Sequence, residues 1–448
     1  MARVLLISCN TTVEPYPVYP LGMAMIAGAL TAAGHTVAEY DMLASPQLGY
    51  NLEDMCRDFN PEITGLSIRN IDNLNYAKPE SYLEQYKRVV ETLHGISSAP
   101  VVMGGAGFSL FPSALMESCG ADYGVVGQGE ILFVELVARL TNGRRPAQKL
   151  FYSTGGGHSE SCSFSYRNSE LSGFYLKHGG MLNLFTKRGC PMKCAYCSYP
   201  LLEGSTYRFR TAVDVVDEIE ALRDNFNMDY YAIADSVFND VDGNYLNIAR
   251  ELIRRKIDIP FTAFLRPQGF SSRDVELLKR AGLKTVEFGT DASTDTTLMA
   301  LKKGFTWKEV LLTNELFAGN SVAVNHFIIF GGPGETTETF KQGLQNVQQI
   351  EHAVVMANIG FRIIPDTYIH GLAIRENRLS KENNLTEPVY YFSPYIDPAH
   401  IDRELRESFA LCRERVYPVG SQDLDKVKIF HQMGHRGPIW DYLLKRKR

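Results

Sequence analysis

MLNLFTKRGCPMKCAYCSYP (181–200) carries three cysteines, Cys190, Cys194 and Cys197, at the spacing C-x3-C-x2-C. Iron–sulfur clusters are usually held by four cysteine thiolates, and the ferredoxin run supplies its fourth cysteine close by. Here the remaining five, Cys9, Cys56, Cys119, Cys162 and Cys412, are scattered along the chain. Three neighbouring thiolates can hold three corners of an iron–sulfur cube and leave the fourth iron open to a reacting group. Tetrahedral zinc is the first alternative, but it asks for a second short pair that this sequence lacks. A disulfide framework is the second, and eight cysteines in 448 residues are sparse for one.

MLNLFTKRGC reads as a short strand running into the loop, so the cysteines sit just past a strand end. Lys187, Arg188 and Lys193 flank them, and such cations offset the negative charge of thiolates and sulfides. Tyr196 stands between the second and third cysteines, where an aromatic ring can pack over a ligand.

C-x3-C-x2-C with an aromatic before the last cysteine resembles the signature of the radical S-adenosylmethionine superfamily. The resemblance implies a [4Fe-4S] cluster on Cys190, Cys194 and Cys197. Its open iron chelates the amino and carboxylate groups of S-adenosylmethionine, and one electron cleaves the sulfonium to a 5′-deoxyadenosyl radical. The cofactor carries the hard chemistry, while the protein positions it and excludes water.

A series of strand patterns follows. YYAIADSVFN (230–239) ends in Asp235 and Asn239, IPFTAFLRPQGF (259–270) carries Arg266, and LKTVEFGTDAS (283–293) ends near Asp291. AVNHFIIFGGPGE (323–335) closes on Gly331, Gly332 and Glu335, and MANIGFRIIPDT (356–367) carries Arg362. Helical patterns such as 211–226 and 272–282 lie between them, and strand–helix repetition predicts a parallel sheet with crossovers. Polar residues gather at the carboxyl ends of the strands, where barrel-like α/β enzymes keep their sites. The plain alternative makes Asp235 and Asp291 helix caps or turn formers. By resemblance, Tyr196, Asp235, Asn239, Arg266, Asp291, the 331–335 turn and Arg362 line the S-adenosylmethionine pocket. The family commonly has Glu followed by Ser where this chain has Asp291-Ala292-Ser293, a shorter acid for the ribose.

The first 150 residues form a second α/β unit. ARVLLISCN, HTVAEYD, ITGLSIRN, APVVMGGAGFS and DYGVVGQGE read as strands ending in Gly, Asn, Asp or Ser, as ligand-facing loops of a doubly wound sheet do. GGAGFS lacks the G-x-G-x-x-G spacing of a dinucleotide site. PLGMAMIAGAL, GGAGFSLFP and VVGQGE resemble instead the cobalamin-binding domain that precedes many radical S-adenosylmethionine cores. That implies cobalamin contacts at Asn70, Gly104, Gly105, Gly107, Ser109, Gly127, Gly129 and Glu130. The motif D-x-H-x-x-G, which gives cobalt a lower histidine, is absent, and CNTTVEPYP stands in its place. The resemblance therefore implies base-off cobalamin with no protein histidine below it. Arg69, in the loop SIRNIDNLNY, is the candidate catalytic residue at that lower face: a cation there disfavours a sixth ligand and promotes transfer of methyl as a cation. The alternatives are that Arg69 pairs with Asp72 or caps a helix, and that the whole domain is an empty vestige or a docking surface.

With 45% hydrophobic residues, the chain can bury two cores. A net charge of −5 argues against a general nucleic-acid grip. No apolar run reaches the ~18 residues of a membrane span, and no signal-peptide pattern opens the sequence. An oxygen-labile cluster and unpaired cysteines predict a cytoplasmic protein. The expected organisation is a doubly wound cobalamin-binding-like domain (1–150), a Gly/Ser-rich linker (151–180), a partial (β/α)6 barrel (181–385) and a small C-terminal cap (386–448) bearing substrate contacts. The expected function is cobalamin-dependent radical methyl transfer to an unactivated carbon of a small-molecule or natural-product substrate. A flavodoxin- or ferredoxin-type protein would supply the electron. The alternatives are a rearrangement, ring closure or transfer of another S-adenosylmethionine fragment, polar methyl transfer without a radical, and a non-catalytic sensor.

Overall fold

The computed structural model describes residues 1–13, 16–153, 166–410, 412–419, 429–431 and 433–444. Two parallel sheets follow one another along the chain. The first holds β1 (Arg3–Ser8), β2 (Thr36–Asp41), β3 (Ile63–Ser67), β4 (Val101–Gly104), β5 (Tyr123–Val126) and β6 (Leu150–Tyr152), ordered β2-β1-β3-β4-β5-β6. Strands as apolar as RVLLIS and VVMG are buried almost throughout, as parallel strands covered by helices must be. Strand order reverses between β1 and β3, so the loops after these two strands splay apart at their carboxyl ends and open a crevice. The last strand of this sheet, β6, runs two residues past the predicted boundary at 150, and the helix Ser169–Gly179 occupies part of the predicted linker. Cys162 and the glycine run beside it lie outside the described residues.

The second sheet begins with β7 (Leu182–Leu184); β8 (Lys187–Arg188) and β9 (Arg208–Phe209) form a separate antiparallel pair around the cysteine loop. Its main strands continue as β10 (Tyr231–Ile233), β11 (Phe261–Leu265), β12 (Leu283–Asp291), β13 (Ala323–Phe330) and β14 (Ala353–Ile359). The order β7-β10-β11-β12-β13-β14 is parallel throughout, six strands in sequence order, as a partial barrel requires. Two short strands, β15 (Phe361–Arg362) and β16 (Tyr390–Tyr391), pair antiparallel beyond its carboxyl edge. A last short strand, β17 (Arg415–Val416), extends the sheet beside β14, so the C-terminal segment is woven into the core domain rather than only capping it.

Local chemistry explains the helices between these strands. Thr211 accepts the Asp214 amide at the start of Ala212–Phe226, while Ser271 with Asp274 and Thr306 with Glu309 form reciprocal capping boxes. The outer face of the second sheet packs on helices through Phe288, Phe317 and Phe270. The inner face is more polar. Glu287 on β12 is buried there and accepts the Trp440 indole N–H at 3.2 Å and the Tyr16 hydroxyl. Three segments distant in sequence thus meet on one carboxyl group, and burial pushes it up to about 7.

Candidate functional site

The carboxyl edges of the two sheets face each other. Helix Ala106–Leu110, after β4, packs on helix Tyr199–Glu203, just after the cysteines. Arg188 donates to Glu130 across the junction, and the Arg362 guanidinium reaches Asp72 at 2.8 Å. The cysteine loop, Glu130, Asp72 and Arg362 therefore meet at one junction between the domains.

On the second sheet's edge, Gly189 and Cys190 open the cysteine loop. Gly189 has a positive φ, and a Cβ there would sit 2.0 Å from the Thr206 carbonyl, so only glycine fits. Backbone bonds from Cys190 to Gly204 and from Ala195 to Leu301, and one to Ala195 from Ile369, pin the loop on three sides. The three cysteines are free thiols. Burial, with the Cys194 and Cys190 sulfurs adding to it, pushes the Cys197 thiol up to about 12. Among the described residues no set of three His, Cys, Asp or Glu side chains closes on a single metal ion. Three separate soft thiols held around one loop suit three irons of a cluster instead. The Tyr207 hydroxyl, close enough to Cys190 to feel its charge, is buried with no partner.

Beside the loop, Asp291 takes the Tyr196 hydroxyl and the Lys303 ammonium. Lys303 is almost fully buried; despite that burial, Asp291 and Cys194 hold its pKa above the ordinary lysine value. Arg266 donates to the Met192 sulfur and the Lys303 carbonyl, and its Nε is buried with no partner. Glu335 accepts the Gly331 amide, and burial pushes it up to about 7. A Cβ on Gly331 would lie 2.6 Å from Phe392, and one on Gly332 2.7 Å from Phe361, so the turn is glycine for close packing. Soft thiols, an orphaned guanidinium nitrogen, a carboxylate and a glycine turn together fit a cluster and an amino-acid-bearing ligand.

Other residues named from sequence stand one step back. Asp235 accepts the Thr186 amide at 2.7 Å and Lys187 Nζ at 3.0 Å. Asn239 clasps the Arg266 backbone, accepting its amide at 2.8 Å and donating to its carbonyl at 3.1 Å. Neither Asp235 nor Asp291 caps a helix; the helices that follow start behind Gly243 and Thr294. Two readings need correction. Lys187 and Arg188 do not sit free beside the cysteines, because Asp235, Asp240 and Glu130 hold them. Lys303, itself paired with Asp291, is the lysine that brings positive charge close to Cys194, and a lysine before a turn glycine gives no spacing signal for this in the sequence. The Arg362 guanidinium is engaged by Asp72 and the carbonyls of Ile363 and Leu385.

On the first sheet's edge the materials are different. Gly105 has φ +99, and a Cβ there would lie 2.5 Å from the Ile68 carbonyl; at Gly107 it would lie 3.0 Å from that of Arg69. Gly104 ends β4, and Ser109 links the neighbouring turn, donating to the Gly105 carbonyl at 2.8 Å and accepting the Gly127 amide at 2.9 Å. Gly129 and Glu130 open the helix Gly129–Thr141. The Asn70 carbonyl accepts the Tyr86 hydroxyl. Arg69 is exposed, and among the described residues it makes no hydrogen bond or ion pair; Asp72, its alternative partner, belongs to Arg362. The Asn10 amide nitrogen, in the loop after β1, is buried without a partner. A glycine-edged crevice with an unpaired cation and an orphaned amide fits a large flat ligand bearing amide side chains.

Comparison with known proteins matches these edges to two families. Residues 7–137 match the B12 binding domain and residues 184–345 the radical SAM superfamily. The chain is 26% identical to tryptophan 2-C-methyltransferase of Streptomyces laurentii over 460 residues, covering 83% of this chain and 76% of that one. An uncharacterized methyltransferase of Pyrococcus horikoshii is 25% identical, covering 81% and 80%. The fold matches a radical S-adenosylmethionine methyltransferase of Kitasatospora setae, solved with cobalamin and a [4Fe-4S] cluster bound. The TM-score is 0.84 at 22% identity, over 99% of this chain and 97% of that one. No helix among the described residues is long and apolar enough to cross a membrane.

Proposed function

We propose that this chain, with its B12 binding and radical SAM domains, is a cobalamin-dependent radical S-adenosylmethionine enzyme that moves a methyl group from S-adenosylmethionine, by way of cobalamin, to a carbon of a small-molecule substrate. One observation carries the reading: the cysteine edge and the glycine edge are apposed, tied by Arg188–Glu130 and Arg362–Asp72. When bound, the cluster with S-adenosylmethionine supplies methyl-donor and radical chemistry, and cobalamin carries the methyl group.

The chain's own residues have distinct tasks. Cys190, Cys194 and Cys197 hold the cluster, while Asp291, Tyr196, Glu335 and Arg266 receive S-adenosylmethionine. Lys303 pairs with Asp291 and puts positive charge near Cys194. Gly105 and Gly107 let the loop after β4 lie against that after β3, which brings Asn70 and Arg69 to the cobalamin side. Arg69, in a sequence that lacks the D-x-H-x-x-G motif, would put a positive charge on the cobalamin side. The relative named for tryptophan methylation supports an aromatic amino-acid-sized substrate. Phe264 and Phe327, 6.2 Å apart and near parallel on the inner face, offer it an apolar wall.

A second reading, polar methyl transfer without a substrate radical, is favoured by Arg69 alone. The test is anaerobic reconstitution with iron, sulfide and hydroxocobalamin. We expect about four irons and one cobalt per chain, and methylcobalamin after reduction and addition of S-adenosylmethionine. Iron without cobalt would sink the proposal. Methylated product formed without 5′-deoxyadenosine would select the polar route.

A further inference from the structure

The loop after β3 is gripped on every side. Ile68 donates its amide to the Gly104 carbonyl and accepts that of Gly107, the Asn70 carbonyl takes the Tyr86 hydroxyl, and Asp72 bridges to Ser81. The last grip crosses the domain boundary. Arg362 Nε donates to Asp72 at 2.8 Å, while its terminal nitrogens donate to Ile363 at 2.7 Å and Leu385 at 2.6 Å. The two side chains are only 4% and 1% exposed, although 290 residues separate them.

Arg69 lies three residues before Asp72, exposed and without an ion pair among the described residues. Its charge is felt at the phenols of Tyr16, Tyr175 and Tyr199, which border the domain junction. The carboxylates near those phenols are already engaged: Glu287 with Trp440 and Tyr16, Asp41 with Tyr175 and backbone amides, and Glu203 with the Gly189 amide. Asp72 is the acid nearest to Arg69 in the chain, and it is held by a partner from the other domain.

We propose that Arg362 is a positioning residue that sequesters Asp72 and thereby keeps the Arg69 guanidinium uncompensated at the junction of the two sheets. The inference rests on the function proposed above for its catalytic meaning, but its physical content is the pairing state of Arg69. A guanidinium in a bidentate ion pair is neutralised and its donors are used, whereas a free one projects its charge onto whatever binds beside it. Docking of the radical domain would thus set the electrostatics of the cobalamin edge.

The test reads Arg69 before any cofactor is added. The full chain is treated anaerobically with phenylglyoxal, which attacks free guanidinium groups, and the peptide carrying Arg69 is followed by mass spectrometry. In R362Q, Asp72 is released to Arg69, and labelling of Arg69 should slow about tenfold, the scale of a charged hydrogen bond. The double variant D72N/R362Q should restore the wild-type rate, which a merely structural loss at Arg362 would not do. Equal rates in wild type and R362Q would overturn the proposal. Should R362Q fail to fold, D72N decides: unchanged labelling supports the proposal, and faster labelling, meaning that Asp72 had been holding Arg69, overturns it. Cobalamin is added afterwards. The spectrum of bound, reduced cobalamin should change in R362Q and return in D72N/R362Q. No uptake by the wild type would remove the proposed function while leaving the labelling result intact.

Discussion

The two facing edges are built from different materials. The cysteine edge is a web of buried charge: Lys303 with Asp291, Lys187 with Asp235 and Asp240, and Arg266 against sulfur and carbonyl groups. The glycine edge is mostly close backbone packing, with Gly105 and Gly107 pressed onto the β3 loop; among the described residues Arg69 there is unpaired, while Glu130 and Asp72 are held by arginines of the other domain. A small, highly charged ligand set needs point charges fixed at short range, and buried charges must be paired to survive there. A broad, nearly neutral ligand needs shape, and glycine gives shape at the cost of conformational freedom.

This contrast can be broken at three depths. The deepest is C194A. Two thiolates do not retain a four-iron cluster, so iron content and S-adenosylmethionine-dependent methylation should both fall to background, while circular dichroism stays that of a folded chain. Iron retained at wild-type level would refute the assignment of the loop.

K303M comes next. It leaves Asp291 buried with only Tyr196 as partner, and removing one member of a buried pair costs about 3–5 kcal/mol. The urea midpoint should drop accordingly, and affinity for S-adenosylmethionine, measured by calorimetry on the cluster-loaded chain, should weaken by about tenfold or more. An unchanged midpoint would mean that the Lys303–Asp291 pair is no part of the charge web. G105A probes the other edge and should be milder. A methyl group 2.5 Å from the Ile68 carbonyl at φ +99 must shift the β4 loop, at about 1–3 kcal/mol. Cobalamin uptake should suffer more than iron content, and the reverse order would erase the distinction between the edges.

Much of this was legible in the sequence, and the reasons are local. Strand–helix alternation, the helical patterns 211–226 and 272–282 and the cysteine spacing are all written within a few residues, and helices Ala212–Phe226 and Ser272–Arg280 are found where the periodicity puts them. What escaped the sequence is long-range pairing. Nothing near Lys303 announces Asp291, and nothing near Arg362 points 290 residues back to Asp72. Its own stretch shows Arg362 only as a polar residue at a strand end, and it is the family resemblance that places it at the S-adenosylmethionine pocket. Lys187 and Arg188 were misread for the same reason: adjacency to the cysteines in sequence is not adjacency of their charges once Asp235 and Glu130 are brought up.

Tyr16, Glu287 and Trp440 meet on one carboxyl group, and they leave the ribosome in that order. At translation speeds of about 5–20 residues per second, the strand carrying Glu287 must wait on the order of ten seconds for its indole partner. During that interval the inner face of the sheet holds an acid with one of its donors still unmade. The joint is therefore a late clasp, and the order of synthesis makes the segment around Trp440 the step that seals the strand around Glu287.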